Sequence, residues 1–146
     1  KFQIADPEEV FSKKSFLNYE QEIKKIKKRL LTYSDHLKIY KKCKKFRIDY
    51  LCSAFDLKSL RFLVNNFKLK YLKIPSGEIR SYDIFNYISK TKHPLIISTG
   101  MTSQEELEKV LKITKRKKEK INLMYCVSSY PAKKKTNKLK KYKYIK

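Results

Sequence analysis

From Phe46 onward, short apolar runs alternate with longer stretches in which apolar residues return every three or four positions. The first pattern belongs to buried strands and the second to amphipathic helices, and their regular alternation is what βα units on a parallel sheet produce. Four strands are predicted, over residues 48–53, 70–74, 94–98 and 121–126. A helix is expected after each of the first three: residues 57–66 behind an N-cap at Asp56, residues 82–90 behind Ser81, and residues 105–117 behind Ser103, which with Glu106 reads as a capping box. Upstream, residues 20–31 and 35–45 read as helices, the second capped by Ser34 and carrying Ile39 and Cys43 on one face. Residues 4–19 show no period and are expected to form a long loop. The fold class is therefore α/β, either a (β/α)8 barrel or a doubly wound sheet. A complete barrel takes about 250 residues, so 146 residues supply about half of one.

Composition narrows this picture. The chain is 41% hydrophobic and 13% aromatic, enough to bury a core, and no apolar run approaches the roughly 18 residues that span a bilayer. The opening Lys1-Phe2-Gln3 has neither an initiator Met nor the apolar segment of a signal peptide, which reads as a trimmed or partial chain. Cys43, Cys52 and Cys126 form no C-x-x-C pair and cannot all be bridged within the chain, which fits a reducing, cytoplasmic setting. The formal charge is +23, which by itself raises the expectation of nucleic acid or an anionic membrane. Yet 32 of the 37 basic residues are Lys and 5 are Arg, whereas bidentate recognition of bases and phosphates favours Arg. The wealth of Lys, Ile, Tyr and Phe beside scarce Gly, Pro and Arg is the bias of AT-rich codons. Runs such as Lys24-Lys25 and Lys41-Lys42 alternate with apolar residues at helical spacing and read as solvated outer faces. Only the tail, Lys133 to Lys146, is dense enough to offer an accessory anionic contact. Nucleic acid is disfavoured and no membrane partner is expected.

Polar residues gather where such a fold keeps its chemistry, beyond the C-terminal ends of the strands. The predicted strands end in Cys52-Ser53-Ala54-Phe55-Asp56, Lys73-Ile74-Pro75-Ser76-Gly77-Glu78, Ser98-Thr99-Gly100-Met101 and Cys126-Val127-Ser128-Ser129-Tyr130-Pro131. Strand alternation puts Lys73 on the face of Tyr71, away from Leu72 and Ile74, and a Lys inside a sheet is costly unless it meets an anion. A Lys that snorkels to water is the commoner alternative. Both glycines of the chain, Gly77 and Gly100, fall at strand ends, where a positive φ, close backbone approach to a ligand, or ordinary turn chemistry would each explain them. Ser53, Ser76, Ser98 and Ser128 recur at the same end, where hydroxyls donate to phosphate or carboxylate oxygens; each alone is more commonly a cap or turn residue.

Taken together, the segments 73–79, 97–101 and 125–132 resemble the sialic acid synthase family, which includes the N-acetylneuraminate, legionaminate and pseudaminate synthases. Lys1-Phe2-Gln3 is similar to the end of that family's second strand, and Asn137-Lys138-Leu139 to the segment after its sixth. The resemblance covers essentially the whole chain, 1–146, and implies a partial (β/α)8 TIM barrel, about strands two to six. It also implies condensation of phosphoenolpyruvate with N-acetylmannosamine or a related N-acetylated sugar to a nonulosonic acid, with loss of phosphate by C–O cleavage, in surface carbohydrate biosynthesis.

By this resemblance Lys1 and Lys73 hold the phosphoenolpyruvate anion with Ser53, Ser76, Ser98 and Ser128. Gln3 and Tyr130 contact the sugar, and Glu78 is the acid/base group. The full enzyme is expected to be a homodimer requiring Mn²⁺ or Mg²⁺. Its metal-binding histidines, strand-one Glu and C-terminal antifreeze-like domain belong outside this chain. His36 and His93 match no ligand position, so no metal residue is assigned here. The isolated chain is expected to be inactive and prone to aggregate. Two departures stand out: Cys52-Ser53-Ala54-Phe55 where S-T-P-F is usual, and Tyr125 where His is frequent. The Pro75-Ser76-Gly77-Glu78 form leans toward neuraminate and legionaminate synthases. The competing readings are another phosphoenolpyruvate-condensing barrel, a Lys-rich nucleic-acid-binding module, and an inactive gene remnant.

Overall fold

A computed structural model describes residues 1–127. The chain divides into two compact units, the first over residues 1–70 and the second from residue 71 onward.

The first unit opens with strand β1 (Phe2–Ile4), followed by a single helical turn α1 (Pro7–Val10), helices α2 (Tyr19–Arg29) and α3 (Tyr33–Lys45), strand β2 (Cys52–Ala54) and helix α4 (Leu57–Asn66). The predicted loop over 4–19 is thus interrupted. Asp6 caps α1 by accepting from the Glu8 amide, and Pro7 sits in the first turn, where a missing N–H costs nothing. The start of α3 also differs from expectation. Its N-cap is Thr32, not Ser34, because Asp35 three residues on completes a reciprocal box: Asp35 N–H donates to Thr32 Oγ1 at 3.1 Å and Thr32 N–H to Asp35 Oδ2 at 3.0 Å. Asp56 caps α4 as expected, accepting from Ser59 N–H at 2.6 Å.

β1 and β2 run parallel with Phe2 opposite Cys52, Gln3 opposite Ser53 and Ile4 opposite Ala54. Period-two alternation therefore sets Gln3 and Ser53 on one face and sends Phe2, Ile4, Cys52 and Ala54 to the other. Behind the strands the packing is aromatic: Tyr33 stacks on Phe62 at 4.2 Å, Phe67 meets Tyr40 at 4.6 Å and Tyr50 at 5.2 Å, and Tyr50 lies on Phe2 at 5.7 Å.

The second unit contains strand β3 (Leu72–Ile74), helix α5 (Tyr82–Ser89), strand β4 (Leu95–Ser98), helix α6 (Gln104–Thr114) and strand β5 (Ile121–Met124). The three strands are parallel, with Lys73 opposite Ile96, Ile96 opposite Asn122, and Ser98 opposite Met124. Leu72, Ile74, Leu95 and Ile97 fall on the opposite face and are buried with Ile84, Phe85, Ile88, Leu107 and Val110 of the two helices. The Ser103–Glu106 box at α6 forms as predicted. That helix ends at Thr114 rather than Lys117 because Lys115 turns left-handed at φ 50°.

One side chain closes the bottom of this unit. Arg116 donates to the Ile88 carbonyl at 2.8 Å, to Thr91 Oγ1 at 2.9 Å and to the His93 carbonyl at 3.3 Å, so one guanidinium satisfies the end of α5 and the approach to β4. Arg116→Ala strands these acceptors and should lower stability by about 2 kcal/mol. A urea midpoint unchanged at constant slope would show that water replaces the clip.

Among the described residues no helix is long and apolar enough to cross a membrane.

Candidate active site

The second unit assembles its candidate site from the C-terminal ends of neighbouring parallel strands. Lys73 lies in the middle of β3, a residue before the strand ends, and is only 5% exposed. Its ammonium donates to its neighbour's carbonyl, Ile74 O, at 3.0 Å and makes a short hydrogen bond to Ser98 Oγ at the end of β4. The alternative of a snorkelling lysine is therefore excluded: this ammonium is held inward, on the face that alternation assigned to it. Register explains the pairing, since Lys73 stands opposite Ile96 and Ser98 is the next residue of β4 on the same face.

Ser76 opens the short 3-10 turn Ser76–Glu78 that follows β3. Gly100 follows β4, and a Cβ added there would sit 3.2 Å from Ser76 Oγ and 3.5 Å from Cys126 Cβ. Gly100 is thus a close-approach glycine, where the backbone after β4 passes against Ser76 and the segment after β5. The positive-φ explanation is corrected for both glycines, because the left-handed residue in this loop is Met101 at φ 56°. Gly77 has nothing within 4 Å of its would-be Cβ. Thr99 fastens the loop, its N–H and hydroxyl both reaching the Met124 carbonyl, at 3.0 and 3.2 Å.

Glu78 is half-buried and accepts a 2.6 Å hydrogen bond from Ser81 Oγ. Ser81 occupies the N-cap position of α5 as predicted, but its side chain does not cap the helix; a carboxylate three residues back is the stronger acceptor. Arg80 reaches Glu106 at 2.6 Å and so ties the turn bearing Glu78 to the first turn of α6.

In the first unit, Ser53 and Gln3 share a face, as the register requires. Ser53 is 1% exposed and its Oγ has no hydrogen-bond partner among the described residues, an arrangement whose cost a ligand oxygen would relieve. Lys1 and Gln3 are exposed. Cys52, on the opposite face, is a free thiol pushed up to about 11 by burial, so it is protonated at neutral pH and no nucleophile. Ser128 and Tyr130 lie outside the described residues.

Two participants escaped the sequence reading. Asn122 joins Lys73 and Ile96 on one face through register, and period-two alternation in residues 121–126 was the signal for it. Thr99 was visible only as a neighbour of Ser98. Among the described residues no three His, Cys, Asp or Glu side chains converge as a metal-binding set.

This parallel β/α unit brings an ammonium, hydroxyls and a carboxylate to its strand ends, the end at which such folds carry their sites. The chain belongs to the NeuB family, whose model matches residues 1–146. It is 34% identical over 122 residues to the N,N'-diacetyllegionaminic acid synthase of Campylobacter jejuni, covering 82% of this chain and 36% of that protein. It is also 34% identical over 97 residues to the N-acetylneuraminate-9-phosphate synthase of Drosophila melanogaster, covering 66% of this chain and 26% of that one. Its fold is similar to the crystal structure of an N-acetylneuraminic acid synthetase from Leptospira borgpetersenii in complex with citrate, with a TM-score of 0.73 and 25% identity over 96% of this chain and 46% of the other. The chain thus spans 36% and 26% of the length of these two curated relatives.

Proposed function

We propose that this chain supplies substrate-binding strands of a nonulosonate synthase, a partial (β/α)8 barrel that joins phosphoenolpyruvate to an N-acetylated mannosamine-type sugar. The observation that carries this reading is the Lys73–Ser98 hydrogen bond, a buried ammonium and a hydroxyl presented together at adjacent strand ends in a NeuB-family chain. Phosphoenolpyruvate packs a phosphate and a carboxylate onto three carbons, so its binder needs cations and neutral donors together in a site shielded from water.

In this reading Lys73 and Lys1 neutralise the anion, and Ser53, Ser76, Ser98 and Ser128 donate to its oxygens. Gln3 and Tyr130 contact the sugar. The methylene carbon of phosphoenolpyruvate bonds to the sugar's aldehyde carbon, whose oxygen takes up a proton; water adds to the carbon bearing the phosphate and gives up a proton, and the C–O bond to phosphate breaks to release inorganic phosphate and leave a ketone. Glu78 takes the proton from that water or orients a sugar hydroxyl, a task for which the Ser81 hydrogen bond fixes its carboxylate. A divalent metal, Mn²⁺ or Mg²⁺, with ligands outside this chain, a homodimer and a cytoplasmic location complete the proposal.

The test is to incubate the full-length protein with Mn²⁺, phosphoenolpyruvate and either N-acetylmannosamine or its diacetylated dideoxy counterpart, following phosphate release and product mass. Sugar-dependent phosphate release with a product of the summed carbon skeletons is expected. No phosphate release with either sugar overturns the proposal.

A further inference from the structure

The first unit holds a buried polar pair that the proposed chemistry does not use. His36 of α3 has 0% exposure, and its Nδ1 lies 2.6 Å from the hydroxyl of Tyr50, which is itself buried just before β2. Burial raises the tyrosine pKa and lowers that of the histidine, so at neutral pH a protonated phenol is hydrogen-bonded to a neutral ring at Nδ1. The other ring nitrogen, Nε2, is buried, turned toward the Gln3 backbone, and without a well-formed hydrogen bond among the described residues.

This pair meets one residue of β1 from two directions. Tyr50 stacks on Phe2 with ring centroids 5.7 Å apart and planes 16° from parallel. His36 approaches the same ring edge-on, at 6.3 Å and 89°. Phe2 N–H also donates to the Leu51 carbonyl at 2.8 Å, in the segment joining Tyr50 to β2. Phe2 stands between Lys1 and Gln3, which alternation sends to the opposite face of a strand only three residues long. A polar bond inside an apolar cluster selects one arrangement of the rings among several of similar packing.

We propose that the His36–Tyr50 hydrogen bond is a positioning device for β1: it locks two rings around Phe2 and thereby fixes where Lys1 and Gln3 present their side chains to substrate. The proposal rests on the synthase reading, in which Lys1 and Gln3 touch substrate. His36 and Tyr50 touch none and act through Phe2 and the neighbouring backbone of Gln3.

The experiment compares the full-length protein with Tyr50→Phe, His36→Phe and His36→Asn, the last keeping a carbonyl acceptor near the place of Nδ1. Amide hydrogen exchange at Phe2 reads the strand, and exchange at Ile97 in the second unit is the control. The two phenylalanine variants should exchange Phe2 at least about tenfold faster with Ile97 unchanged. They should raise KM for phosphoenolpyruvate and for the sugar at least about fivefold, with kcat within about twofold of wild type, and His36→Asn should restore both readouts. Unchanged Phe2 exchange, or Phe2 and Ile97 accelerating together as in general destabilisation, overturns the device. Faster Phe2 exchange at unchanged KM overturns its role at the site. A wild-type protein without synthase turnover would instead sink the synthase reading, and the exchange comparison would still decide whether the bond orders β1.

Discussion

Lys73→Met should weaken phosphoenolpyruvate binding by roughly two to three orders of magnitude while leaving the protein folded. The two halves of this expectation come from the same geometry. Methionine nearly matches the lysine stem in length and removes only the ammonium, so under the synthase reading the anion loses a buried cation; truncating one partner of a buried charged pair costs about 2–5 kcal/mol. Stability should move the other way or not at all, because the wild-type protein holds a charge in a position only 5% exposed and the variant relieves that desolvation. Ser98 then has a missing donor but keeps its place at the end of β4. Calorimetric titration with phosphoenolpyruvate, run beside a thermal melt, separates the two effects. A dissociation constant within threefold of wild type would remove Lys73 from the anion site.

Glu78→Gln should lower kcat by about two to three orders of magnitude with phosphoenolpyruvate affinity almost unchanged, the span usual for loss of a positioned acid/base group. The substitution is conservative where it needs to be. The glutamine carbonyl can still accept the 2.6 Å hydrogen bond that Ser81 gives the carboxylate, so the turn after β3 is preserved and only proton transfer is lost. Steady-state phosphate release measured with both substrates saturating is the readout. Turnover equal to wild type would show that Glu78 neither moves a proton nor orients the group that does.

Much of this arrangement was legible from the chain because its signals are local. Alternation put Lys73 on the face away from Leu72 and Ile74, and the structure keeps it there. Asp56 and the Ser103–Glu106 box stand where cap chemistry places them. Thr32 and Ser34 are both acceptable caps by residue type; what separates them is the residue at the third helical position, Asp35 for one and Leu37 for the other, and only an acid can answer the cap's amide. The four-residue α1 is too short to have a period, although Asp6, Pro7 and the acids Glu8 and Glu9 spell its start. The Lys73–Ser98 bond was beyond reach for a different reason. It depends on the register of two strands more than twenty residues apart, and a slip of one residue would have turned Ser98 to the other face. The contact between Gly100 and Ser76 is equally non-local, so the sequence flagged the glycine without revealing what it leaves room for.

The contrast between the ring cluster of the first unit and the mainly aliphatic core around Phe85 in the second sets two rules for how the chain can vary. In the second unit, Leu72, Ile74, Ile84, Ile88, Leu95 and Ile97 interlock by volume alone, and exchanges among Leu, Ile and Met that conserve volume cost less than about 1.5 kcal/mol. In the first, rings are oriented by their quadrupoles and several carry polar edges with fixed partners: Tyr50 toward His36, Tyr40 toward the Lys68 amide at 3.1 Å, Tyr33 toward Ser59 at 3.1 Å. A tyrosine there keeps its packing and its polar contact only if its replacement preserves both tilt and hydroxyl, so neighbouring positions must change in concert. Sequence divergence should therefore run as independent single steps through the second unit and as linked substitutions through the first.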